Sequence, residues 1–170
     1  GVLAGIISAR RTGQGQVIDA AICDGTASLM AMFSDLASQG RWREEREANL
    51  LDGGAPFYRT YECADGLHVA VGALEAPFYD LLCRKLELTD PLFGERDDPA
   101  RWPAIQARLE EIFRSRTRAA WCALLEGTDV CFAPVLALSE APGHSHLAAR
   151  GTFVTLDGVV QPAPAPRFSR

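Results

Sequence analysis

The chain has 170 residues, 48% of them apolar, and its 22 acidic residues against 17 basic ones give a net charge of −5. That length and apolar content can bury one substantial core, which excludes a disordered chain. No run of Lys or Arg is long enough to follow a phosphate backbone, so nucleic acid is not an expected partner.

Gly1 to Ile7 is apolar, but it falls far short of the roughly 20 residues that span a bilayer. No basic segment precedes it, so neither a secretory signal nor a membrane partner is expected. Five cysteines, widely spaced and without a CxxC pair, fit reduced thiols in a cytoplasmic protein. Gly1 to Arg11 reads as the back half of a helix, and the chain opens without Met, which makes a lost upstream segment the expectation. Two glycines in TGQGQ then stop that helix.

Gln16 to Ile22 is short, apolar and β-branched, the pattern of a buried strand. Asp24 is expected to cap the next helix, in which Leu29, Met30, Phe33 and Leu36 recur at helical spacing until Gly40. Strand followed by helix implies an α/β layer. Arg41 to Ala48, RWREEREA, is charged throughout and marks a composition boundary.

Beyond it, Pro56 to Cys63 and Leu67 to Ala73 are strand-like runs separated by Ala64-Asp65-Gly66, a strong hairpin signal. Ala76 to Leu86 is expected to be a helix with Pro77 in its first turn and Phe78, Leu81, Leu82 and Lys85 on one face. Asp98-Pro99 starts another, carrying Ile105, Leu109, Ile112 and Phe113, and Thr117 a third, carrying Trp121, Leu124 and Leu125. Cys131 to Leu138 reads as a short buried strand, kinked or placed at an edge by Pro134. Ser139 is expected to cap a short helix ending before Gly151. After Thr152 comes one more strand-like run, and QPAPAPRFSR then favours an extended, polyproline-like path.

Few residues advertise chemistry by spacing alone. His68, His144 and His146 do not converge on a motif, and His144-Ser-His146 lacks helical ligand spacing, so a metal is not expected. Gly13-Gln-Gly15 and Gly53-Gly54 read as turns rather than phosphate loops. Asp19 and Asp24 are carboxylates near a strand and its exit, with helix capping the plainer account of Asp24. Glu75 lies between VAVGAL and a helix start, where it either faces the end of the sheet or interacts with the helix N-terminus.

The phrases GQGQVIDAAICDGTASL, LDGGAPFYRTYECADG, VAVGALEAPFY, GTDVCFAPVL and PAPAPRFSR resemble, in order, segments of the α-methylacyl-CoA racemases within the family III CoA-transferase fold. The resemblance implies an α/β fold in which residues 1–49 are the end of a section of a Rossmann-like large domain with its linker. It likewise makes 50–136 a smaller inserted α/β domain and 137–170 a return segment. It implies two chains interlocked as a homodimer, an acyl-CoA thioester as substrate, and no cofactor, CoA being part of the substrate. Racemisation removes the α-proton of the thioester from one face and returns it on the other, so two acid/base groups must flank that carbon and the enolate oxygen must be stabilised.

In the family those groups are a His and an Asp that match no residue of this chain, so the chain alone is expected to be inactive. Asp19 and Asp24 match ordinary positions. What carries over is Glu75, matching a Glu that reaches from one subunit toward the catalytic His of the other, and Tyr58 and Leu51, matching positions that line the acyl pocket. Two rivals stand beside the racemase reading. One is a family III CoA-transferase working through an aspartyl-CoA thioester; the other is a non-catalytic interaction remnant.

Overall fold

The turn at Asp65-Gly66, with Gly66 at φ 73°, joins β1 (Tyr58–Glu62) to β2 (His68–Gly72) in antiparallel register, Tyr58 opposite Gly72 and Tyr61 opposite Val69. β3 (Phe132–Pro134) adds to the other side of β2, Val71 opposite Phe132, so the sheet order is β1-β2-β3. Pro134, which has no N–H to give, therefore lies on an edge strand. The computed structural model describes residues 1–169, and the chain divides into two compact units, one of Gly1–Glu45 and one from Arg46 onward.

In the second unit, side-chain alternation along the strands buries Tyr61, Val69 and Val71 on one face of the sheet. α4 (Ala76–Lys85) follows β2 directly, with Pro77 in its first turn. Leu82 is buried on the expected face and Phe78 and Leu81 pack partly buried against the core, while Tyr79, outside the expected set, is also buried. α5 (Trp102–Arg114) contributes Ile105, Leu109 and Phe113, each four residues after the last and each fully buried. α6 (Arg118–Leu125) adds Trp121 and Leu125, and Thr117 caps it by accepting from the Ala120 N–H at 3.3 Å.

Aromatic rings link these elements. Phe113 stacks on Tyr61 at a centroid distance of 4.9 Å and meets Trp121 edge-on at 5.3 Å. The indole N–H of Trp121 donates to the Phe113 carbonyl at 2.8 Å, and the Tyr61 hydroxyl donates to the Pro56 carbonyl. Burial pushes the Tyr61 phenol far above its ordinary pKa, so it stays protonated and remains a donor.

The return from β3 is tied by Arg118, whose guanidinium donates to the Val135 carbonyl at 2.6 Å and grips Glu140. Those hydrogen bonds, with one from the Ala137 N–H, hold the Glu140 carboxyl down at about 2. Ser139 caps nothing, because the chain first makes a 3-10 turn at Ala141–Gly143 and α7 (Ser145–Ala149) starts from His144. Past Thr152 there are two strands where one was expected, β4 (Phe153–Leu156) and β5 (Val159–Pro162). Asp157 and Gly158 both take positive φ between them, the conformation a tight two-residue hairpin needs.

The first unit holds α1 (Val2–Thr12), α2 (Ile22–Leu29) and α3 (Ala31–Ser38). Gly13, at φ 72°, ends α1 as its position in TGQGQ predicted. The expected strand at Gln16 to Ile22 does not form. Residues 14–21 carry no strand pairing among the described residues, Ile22 is already helical, and Val17 is 96% exposed. β-branched residues favour strands through packing against neighbours, and here no neighbouring strand is supplied. Asp24 lies in the first turn of α2, with Ala21 at the cap position, so Asp24 is not the cap. The apolar pattern from Leu29 to Leu36 is split at Met30 into two short helices.

Candidate functional site

The face of the sheet opposite the core is shaped by what its residues lack. Register sets Gly72 against Tyr58, Ala70 against Thr60, and Ala133 against Ala70. Three small residues beside one aromatic ring leave a groove of about 420 Å³ across all three strands, closed at one end by Cys131 and Phe132. A Cβ built on Gly72 would lie 3.7 Å from the Cys131 carbonyl oxygen and 3.9 Å from Tyr58 Cδ2. Any longer side chain there would fill the groove.

Cys131 is held by its backbone, at φ 52°, where its carbonyl accepts from the Gly72 N–H at 2.8 Å. Its thiol pKa is raised by desolvation and by the charges of Glu75 and Asp129. The neutral thiol is therefore a wall of the groove and a poor nucleophile.

Glu75 stands at the N-cap position of α4 with extended backbone, and its carbonyl accepts from the N–H groups of Phe78 and Tyr79 at 3.1 Å each. Its exposed side chain makes no capping hydrogen bond. The helix is started by the main chain, and the carboxylate is left for other use. Tyr58 is half-buried and lines the groove. Leu51 is half-buried in the preceding loop and is not part of the groove lining.

That loop is knotted around Asp52, whose carboxylate accepts from the Asn49 N–H at 2.8 Å, the Asn49 side-chain amide at 2.7 Å and the Gly54 N–H at 3.1 Å. Desolvation would raise the pKa of Asp52, but these bonds together hold it below the usual carboxylate value. Gly54 is obligatory, since a Cβ there would lie 2.7 Å from both the backbone N and O of Asn49. Arg59 joins the loop to the groove by donating to the Gly53 carbonyl at 3.0 Å.

A carboxyl pKa lowered by folding stabilises the fold above the unfolded value, and that contribution is lost as pH falls through the folded one. Asp52→Ala is accordingly expected to cost roughly 2 kcal/mol at neutral pH, with the deficit shrinking at pH 3. Urea unfolding of both proteins at pH 7 and pH 3 checks this. A deficit equal at the two pH values would sink the account.

Other candidates stay apart. His68 is exposed at the start of β2, His146 is exposed in α7, and His144 lies 3.8 Å from Glu126. Among the described residues no group of three or more His, Cys, Asp or Glu is placed to hold a metal, and all five cysteines are free.

Residues 1–170 match CoA-transferase family III over their full extent. The chain belongs to that family.

Within CoA-transferase family III, the chain is 41% identical to the mouse α-methylacyl-CoA racemase, covering all of this chain and 45% of that protein. The human α-methylacyl-CoA racemase is 40% identical over 98% of this chain and 44% of its own length. Mouse succinyl-CoA:glutarate CoA-transferase is 23% identical over 99% of the chain. Among solved structures, Rv3272 of Mycobacterium tuberculosis superposes with a TM-score of 0.73 at 16% identity, over 99% of this chain and 44% of its own. A CAIB/BAIF family protein of Brucella suis gives 0.72 at 22% identity, over 99% of this chain and 45% of its own. The mixed α/β fold is thus that of the family, and the chain spans a little under half the length of the relatives it matches.

Reading the sequence alone does not reveal Arg59, Cys131, Phe132 or Ala133 as groove residues. Period-two alternation in Tyr58 to Thr60 and Ala70 to Gly72 carries the signal for two strands of the groove. The third strand is legible only as a strand-like run within Cys131 to Leu138, and its place beside β2, with Val71 opposite Phe132, is set by pairing between distant segments.

Proposed function

We propose that this chain is part of an α-methylacyl-CoA racemase, interconverting the 2R and 2S forms of 2-methylacyl-CoA thioesters. The observation that carries this is the identity of about 40% to two named racemases along the whole chain, against 23% to 32% to named CoA-transferases. In the proposed reaction the Cα–H bond breaks, its electron pair passes into an enolate on the thioester oxygen, and a proton returns to the opposite face of Cα. Nothing is oxidised or reduced, so no redox cofactor is needed beyond the CoA of the substrate.

In this reading Glu75 is the chain's contribution to the catalytic site, supporting a His of the partner subunit in an interlocked homodimer. Tyr58 and Leu51 line the acyl pocket, and the apolar groove beside Tyr58 is consistent with a branched acyl chain. Residues 1–49 belong to the large domain, 50–136 to the small domain and 137–170 to the return segment. Among the described residues no helix is long and apolar enough to cross a membrane. A cytoplasmic location is a separate part of the proposal. Exposed Val17, Ile22 and Leu29 in the first unit support burial of that surface against further protein.

The test is α-proton exchange in deuterated water with a 2-methylacyl-CoA. The longer polypeptide is expected to incorporate deuterium at C2 and the 170-residue chain to incorporate none. Exchange by the chain alone would contradict placing the proton-transfer pair outside it. A CoA adduct trapped on an Asp of the longer polypeptide would favour the transferase instead.

A further inference from the structure

Arg96 follows the 3-10 turn Pro91–Glu95, 21 residues after Glu75, yet its side chain returns to the corner where β2 gives way to α4. There its guanidinium donates to the carbonyls of Ala73, at 3.4 Å, and Leu74. These are the two residues that immediately precede Glu75.

Every other contact of this arginine fixes its aim. The guanidinium lies over the rings of Phe57 and Tyr79, 4.1 Å and 4.5 Å from their centroids, and the side chain is only 13% exposed. Trp102 donates its indole N–H to the Arg96 carbonyl at 2.7 Å, and the Tyr79 hydroxyl donates to the Phe93 carbonyl at 2.9 Å. The Nε pairs with Asp97 at 3.4 Å, but Asp97 is 95% exposed, so this pair adds little. A planar fork with two donors, packed over two rings that meet edge-on, sets the orientation of the peptide units it holds more tightly than a lysine ammonium can.

We infer that Arg96 is a positioning residue for Glu75. By gripping the two peptide units before it, Arg96 fixes the backbone from which the Glu75 carboxylate leaves the corner. The inference rests on the reading of Glu75 as an active-site group. If Arg96 were only a packing residue, its replacement would lower stability and leave the chemistry of folded enzyme unchanged.

A double-mutant cycle in the longer racemase polypeptide separates the two, with deuterium exchange at C2 and thermal unfolding both measured. Arg96→Lys is expected to lower kcat for exchange by at least about tenfold with KM little changed, as misplacement of a catalytic group does. In a Glu75→Gln background the same substitution is expected to cost nothing further. Trp102→Phe, which removes the indole N–H that holds the Arg96 carbonyl, should show the same pattern at smaller size, and it keeps the test open if Arg96→Lys folds poorly. Losses that multiply independently of Glu75, or a lower melting temperature with unchanged kcat, would overturn the inference and leave the racemase reading standing. Unchanged exchange in Glu75→Gln itself would instead remove the assignment of Glu75, and the inference with it.

Discussion

Glu75→Gln in the longer polypeptide proposed as the racemase is expected to cut α-proton exchange about a hundredfold while leaving thermal stability nearly unchanged, since it would remove support from an acid/base His whose own contribution is typically 10²–10⁴ in rate. The two halves of this expectation come from different observations. Stability should hold because the side chain is exposed and makes no capping hydrogen bond, the start of α4 being secured by main-chain bonds to the Glu75 carbonyl. Activity should fall because the carboxamide keeps the shape but loses the charge that, in the proposed reading, supports a His of the partner subunit. Deuterium uptake at C2 and a melting curve, taken on the same preparation, check both halves. A normal rate with a lowered melting temperature would make Glu75 a helix-entry charge and nothing more.

Phe113→Ala is the substitution expected to damage the fold most, with a loss of about 3–5 kcal/mol, the usual range for removing a buried aromatic. Phe113 is fully buried and sits between Tyr61 of β1 and Trp121 of α6, with its own carbonyl accepting the indole N–H. Its aromatic neighbours are on two elements other than its own helix, so they cannot both move inward freely to fill the cavity. The consequence reaches the groove, because Tyr61 and Tyr58 belong to the same five-residue strand on opposite faces. Urea unfolding at neutral pH measures the loss. A deficit below about 1 kcal/mol would mean that the site collapses easily and that the aromatic stack is not what fixes β1.

Where a feature depends on neighbours within a few residues, the sequence was enough. Asp65-Gly66 turned the chain between β1 and β2, Thr117 capped α6, and Gly13 ended α1, because each acts on hydrogen bonds or backbone angles of its own segment. The apolar spacing of Ile105, Leu109 and Phe113 named the buried face of α5 for the same reason. Local signals misled where a partner was needed. Gln16 to Ile22 has the composition of a buried strand but is extended without a strand partner among the described residues. Val159 to Pro162 became a strand because Asp157-Gly158 folded it back on β4.

The racemase resemblance was written in contiguous phrases, and so were Tyr58, Leu51 and Glu75 as candidates; relatives with about 40% identity support the resemblance. By itself, then, the sequence determined the family, the hairpin that ends at a carboxylate, and the helices that follow it. Only the tertiary structure decided that Gly72, Ala70 and Ala133 open a groove beside Tyr58, and that Arg96 reaches back to the carbonyls before Glu75. Capping and periodicity are short-range and can be read along the chain. Which strand pairs with β2, and which arginine finds a given carbonyl, are settled when distant segments compete to bury apolar surface and satisfy their polar groups together.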